Sequence, residues 1–227
     1  FLDCEWLEKT IDRCMQTISS CNHLTISIVA AYTHTMKGRF IVLEGPDGSG
    51  TTTHEKLLSE TLKKAGHDVL LTAEPTDSPI GLFIREQLKA DTISSPSSLQ
   101  LLFCADRAAH IESVIKPALA AGKTVISDRY VISTLVYGEA LGLDPDWLLH
   151  VNTPFVEPDV MILALPPLHV CLERIGMRRQ LDVFENTAFQ KKVYDKYEKM
   201  TDDPQIKVVD TSGKLEEAAK RVWEAVR

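Results

Sequence analysis

The chain has 227 residues, 44% of them apolar and 25% charged, the balance of a globular protein with one sizeable core. A formal net charge of −7 speaks against a general nucleic-acid binder, because phosphate backbones recruit basic surfaces. No apolar run approaches the roughly 20 residues of a membrane span, and five cysteines without a CxxC pair favour reduced thiols in an intracellular, cytoplasmic setting.

In chain order, Leu7, Ile11, Cys14 and Ile18 recur at three- and four-residue steps, with Asp3, Glu8, Lys9, Asp12 and Arg13 filling the other face. That pattern predicts an amphipathic helix. Residues 1–35 therefore read as an N-terminal helical extension, neither Arg-rich nor acid-poor as a mitochondrial presequence would be. Met36-Lys37-Gly38 opens the second region, residues 36–227. There, apolar runs at Phe40–Leu43, Val69–Leu71, Val125–Ile126, Val160–Leu165 and Ile206–Val209 predict strands. Glu55–Ala65 and Leu99–Ala121 predict helices between them, and Thr92–Ser98 a polar loop. Strands alternating with helices imply an α/β domain with a parallel sheet covered on both faces.

After the first strand comes Gly45-Pro46-Asp47-Gly48-Ser49-Gly50-Thr51-Thr52-Thr53, and then a helix. Strand, glycine-rich turn and helix are the setting of a phosphate-binding P-loop. Its glycines let successive N–H groups face phosphate oxygens, and the helix adds the positive end of its dipole. Thr52 stands where a hydroxyl would ligand Mg²⁺. The fault is Thr51, which occupies the lysine position of the pattern.

Several further segments fall in the order of one family. FIVLEGPDGSGTTTH (Phe40–His54) resembles the thymidylate kinase opening FIxxEGxDGxGKTTQ. LLFCADRAAH (Leu101–His110) resembles that family's LLFxADRxxH helix, and VISDRYVISTLVY (Val125–Tyr137) its DRY motif with the tyrosine beyond. Pro158-Asp159-Val160, Pro166-Pro167 and Leu172-Glu173-Arg174 resemble its PD…PPExxLxR stretch. The resemblance runs from about Lys37 to Arg227. It implies a P-loop kinase fold, with a five-stranded parallel sheet flanked by helices and a short lid. It also implies transfer of the γ-phosphoryl of ATP to dTMP with Mg²⁺, and a homodimer, without nucleic-acid or membrane partners.

The same resemblance assigns roles. Gly45 to Thr53 would hold ATP. Asp47 would lie beside the sugar and the reacting phosphates, Thr52 and Asp128 would hold Mg²⁺, and Arg129 would grip the acceptor phosphate. Phe103 would stack on thymine, with Arg107 one turn later on the same helix face. Tyr137 would crowd the sugar 2′ position, and Arg85 matches an arginine near the acceptor in bacterial-type members. Arg178 and Arg179 in the lid would supply transition-state charge, since Gly48 leaves no arginine in the P-loop. His54 and His110 read as structural.

Each role has a plainer rival. Phe103 and Tyr137 could simply pack, and arginine pairs are common on exposed helices. Three departures also stand out: Thr51 for lysine, Ala73 where the bacterial-type TREPG pattern has arginine, and Thr76-Asp77 for its glycine. A charge-assisted phosphate contact is commonly worth ~1.5–3 kcal/mol. Two alternatives to a dTMP kinase therefore stay open. One is a nucleotide-binding protein with weak or no kinase activity, the other a kinase for a different nucleoside monophosphate.

Overall fold

The computed structural model describes residues 38–90, 95–177, 184 and 186–227. The extension expected at residues 1–35, and Arg178 and Arg179, expected in a lid, lie outside the described residues.

Five strands, β1 (Arg39–Glu44), β2 (Val69–Ala73), β3 (Thr124–Asp128), β4 (Val160–Ala164) and β5 (Ile206–Val209), form one sheet in the order β2-β3-β1-β4-β5. Every neighbouring pair is parallel. Parallel neighbours need crossovers, and helices supply them. These are α1 (Thr51–Lys64), α2 (Pro79–Ala90), α3 (Pro96–His110), α4 (Lys116–Ala120), α5 (Val131–Ala140), α6 (Pro145–Asn152), α7 (Leu168–Gly176) and α8 (Thr187–Glu198), while α9 (Leu215–Ala225) follows the last strand. The predicted helix at Leu99–Ala121 is nearly continuous, with a π turn at Ile111–Ile115 between α3 and α4. Of the predicted polar loop at Thr92–Ser98, residues 92–94 lie outside the described residues, and the last three are helical. Ser95 accepts the Ser98 N–H at 3.1 Å and Pro96 takes the first helical position, so Pro96–Ser98 already belong to α3.

Central β1 explains its own composition. Phe40, Ile41, Val42 and Leu43 are all at most 1% exposed, because both faces of the sheet are covered. Ile41 and Leu43 join Leu58, Leu62 and Val222 from α1 and α9. Phe40 and Val42 join Ile111, Ile115 and Ala118 on the opposite face. A third cluster unites Ile84, Leu99, Val136 and Val193, tying α2, α3, α5 and α8 together. Since the strands are parallel, the loops after β1, β2 and β3 leave from one edge of the sheet, where ligands of open α/β sheets bind.

Candidate active site

The loop between β1 and α1 is shaped by close approaches. Gly48 has φ 78°, and a Cβ there would lie 2.3 Å from the Cys171 carbonyl oxygen. A Cβ on Gly45 would lie 2.4 Å from that of Ala164. The loop's outer carbonyls are held by the protein. Arg174 donates to Gly48 (3.1 Å) and Ser49 (3.3 Å), the Thr211 hydroxyl to Ser49 (2.6 Å), and Arg129 to Gly45 (2.9 Å). Thr51 is buried at the first position of α1, while Thr52 and Thr53 are exposed. The first turn of α1 carries no acidic residue, so its positive end is not neutralised there.

Asp128 ends β3, paired in register with Leu43 of β1. It accepts the Thr52 hydroxyl at 2.5 Å on Oδ2, while its buried Oδ1 has no hydrogen-bond partner. One turn along α1, Glu55 is also buried with Oε2 unpartnered. Burial, with the Asp128 charge second, pushes the Glu55 carboxyl up to about 7. The donor set here is all oxygen, the chemistry a hard divalent cation takes.

Arg129 follows Asp128 with φ 70°. It donates to Asp47 Oδ1 at 2.6 Å and to the Ser133 hydroxyl at 3.1 Å. Its guanidinium lies 5.4 Å from the centroid of the Tyr137 ring. Asp47 Oδ2 in turn accepts the Tyr137 hydroxyl and the Gln190 amide, both at 2.8 Å. Glu44 sets the backbone around this group. Its carboxylate accepts the N–H of Tyr130 at 2.8 Å and of Ser133 at 3.1 Å, and the Ser133 hydroxyl at 2.6 Å. It thus caps α5 from another strand. Burial raises the Glu44 carboxyl above its ordinary value, against the Ser133 hydroxyl and the Arg129 charge.

These groups open on a cavity of about 160 Å³, whose wall includes Asp47, Glu74, Gln100, Phe103, Arg107, Arg129, Thr134, Tyr137 and Phe184. Phe103 is half-buried on that wall. Arg107 is 1% exposed and heavily engaged. It donates to Glu74 (2.8 Å), Asn152 (2.6 Å), the Tyr130 carbonyl (2.9 Å) and the Thr134 hydroxyl (2.8 Å). Of the five N–H groups of a guanidinium, one is left for a ligand. His110 lies 2.9 Å from Glu74 and 2.6 Å from the Thr72 hydroxyl, in keeping with a structural role. Arg85 is not part of the cavity wall. It braces the loop after β2 by donating to the carbonyls of Thr76 (2.8 Å) and Pro75 (2.5 Å) and to Asp77 (2.8 Å).

One neighbourhood therefore unites the P-loop, Asp47, Phe103, Arg107, Asp128, Arg129 and Tyr137. Sequence reasoning did not single out Glu44, Asp106, Arg174 or Gln190. Asp106 orders the loop after β2, accepting the Thr76 N–H at 2.7 Å and the Thr76 and Ser78 hydroxyls at 2.6 and 2.7 Å. Glu44, Asp106 and Arg174 stood inside segments that resemble family motifs; Gln190 carried no such signal.

Comparison with known proteins agrees with this geometry. The family model of thymidylate kinase matches residues 43–222. A probable thymidylate kinase of Pyrococcus horikoshii is 43% identical over 189 residues, covering 80% of this chain and 92% of that protein. A thymidylate kinase of Thermomicrobium roseum is 42% identical over 197 residues, covering 82% and 93%. A putative thymidylate kinase of Treponema pallidum is 40% identical over 162 residues, covering 70% and 77%. With P-loop, DRY arginine and cavity in one place and the match spanning most of the domain, the chain belongs to the thymidylate kinase family.

Proposed function

We propose that the chain transfers the γ-phosphoryl of ATP to dTMP, giving dTDP and ADP. The observation that carries this is Arg129, set 2.6 Å from P-loop Asp47 on the wall of a cavity that also presents Phe103 and Tyr137. A donor-phosphate loop and an acceptor-side arginine thus share one cleft, which is what in-line transfer between two anions requires. The P-loop and the start of α1 receive the ATP phosphates. Arg129 takes the acceptor phosphate, exchanging part of its contact with Asp47 for it. Phe103 offers its ring to the base, and Tyr137, anchored on Asp47, closes the sugar side. Thr52 and Asp128 would hold Mg²⁺, and the unpartnered Asp128 Oδ1 suits that role. When bound, the ion supplies charge neutralisation on the transferring phosphates.

The same reading includes Arg178 and Arg179 as lid cations, Arg85 as an acceptor-side arginine, residues 1–35 as an appended helix, a cytoplasmic setting and a homodimer. Family analogy supports the last two. Thr51 motivates a second reading, nucleotide binding without chemistry. The intact acceptor side, from Arg129 to Phe103, weighs against it.

The test is ADP release with dTMP, dUMP, CMP and AMP as acceptors. dTMP should lead by at least roughly tenfold in kcat/KM. A clear preference for another monophosphate, or silence with all four, would refute the assignment.

A further inference from the structure

On α3, Gln100 precedes Phe103 by three residues and Arg107 by seven, so all three share one helix face and all three line the cavity. Gln100 is 0% exposed, yet neither its Oε1 nor its Nε2 has a hydrogen-bond partner. A buried primary amide left unanswered is costly, so such groups usually have partners. Here the side chain forms part of a ligand cavity wall, and the missing partner can arrive with the ligand. That ligand must offer a donor next to an acceptor, to match an amide. The edge of a 4-oxopyrimidine does so: N3–H flanked by carbonyl oxygens.

Resting on the dTMP reading above, we propose that Gln100 holds the base edge of the acceptor nucleotide. Its Oε1 accepts N3–H and its Nε2 donates to an adjacent carbonyl. Phe103 covers the face of the base, and the remaining Arg107 N–H addresses a second carbonyl. An amide can turn over and serve cytosine equally well. Gln100 therefore supplies affinity for the edge, whereas choice between thymine and cytosine falls to Arg107, which can only donate.

Two probes isolate the contact: Gln100→Leu on the protein, and N3-methyl-dTMP on the ligand. Leucine removes an unsatisfied amide from a buried position, so the variant should melt no lower than wild type. Titration calorimetry without ATP reads dTMP affinity directly. Gln100→Leu should weaken dTMP by about ten- to a hundredfold, and leave the Michaelis constant for ATP unchanged. N3-methylation should weaken binding to wild type by a similar factor and change little in Gln100→Leu. If wild type binds dTMP and N3-methyl-dTMP equally, the role of Gln100 is overturned, whether or not the variant folds. The same holds if both proteins penalise the methyl group alike. Wild type that binds no dTMP would instead overturn the kinase reading itself.

Discussion

Arg129 occupies left-handed backbone, φ 70°, which costs a non-glycine residue on the order of 1 kcal/mol or more. The fold supplies what holds it there. The Arg129 N–H donates to Leu43 at 2.8 Å, its carbonyl accepts the Ser127 hydroxyl at 2.9 Å, and Glu44 captures the next N–H along. The strained turn aims the guanidinium back over the P-loop. Arg129 was legible in the sequence as a candidate, because it stands in a motif. That Glu44 holds it in place was not: an acid at the end of an apolar strand looks like a strand end until β3 and α5 fold against it. Arg129→Ala should lower kcat with dTMP by about 10³-fold or more, while ATP affinity stays within about threefold. Initial rates and ATP titration check this pair of outcomes. A parallel loss of ATP affinity would place Arg129 on the donor side.

At the scale of elements, periodicity located all five strands of the described region, because buried parallel strands read as apolar runs, and of the helices it bounded α1 and the α3–α4 stretch. It failed where polar residues do structural work. Ser95 and Pro96 start α3 although the stretch reads as a loop, and Arg107, expected to face the ligand, is mostly spent on Glu74, Asn152, Tyr130 and Thr134. Glu55 on α1 is a further case. Helical spacing puts it on the face of Thr51 and Thr52, where it is buried beside the Asp128 charge. Its carboxyl titrates at about 7 in the folded chain against an ordinary 4.5. The folded state then holds the extra proton, so stability is intact below 4.5 and is lost as pH rises towards 7, by at most about 3 kcal/mol. Glu55→Gln should remove that decline. In EDTA, its stability advantage over wild type should grow from pH 5 to pH 7.5. An advantage that does not change with pH would show that Glu55 is not raised.

For the whole molecule, the sheet order β2-β3-β1-β4-β5 places the P-loop after β1 directly beside the Asp128-Arg129 turn after β3. That adjacency joins two motifs into one site, Asp47 and Arg129 lying 82 residues apart in the chain. Topology was legible only through resemblance, since alternation of strands and helices is compatible with several strand orders. Every motif lies after Met36, so a chain lacking residues 1–35 should keep kcat/KM for dTMP within about threefold. Loss of activity in a truncated protein that still folds would bring the extension into the site.

Thr51 bears most directly on the central claim, that this P-loop works without its lysine. Threonine is neutral and short, so on the proposed reading charge on the moving phosphoryl would be met by Arg129, a bound cation, and Arg178 and Arg179. The measurement is turnover of dTMP with ATP and Mg²⁺ by wild type and by Thr51→Lys, side by side. Wild type should turn over, with Thr51→Lys equal or up to about tenfold faster. Wild type inert with every monophosphate, but rescued by Thr51→Lys, would contradict the claim and make the natural chain a nucleotide binder.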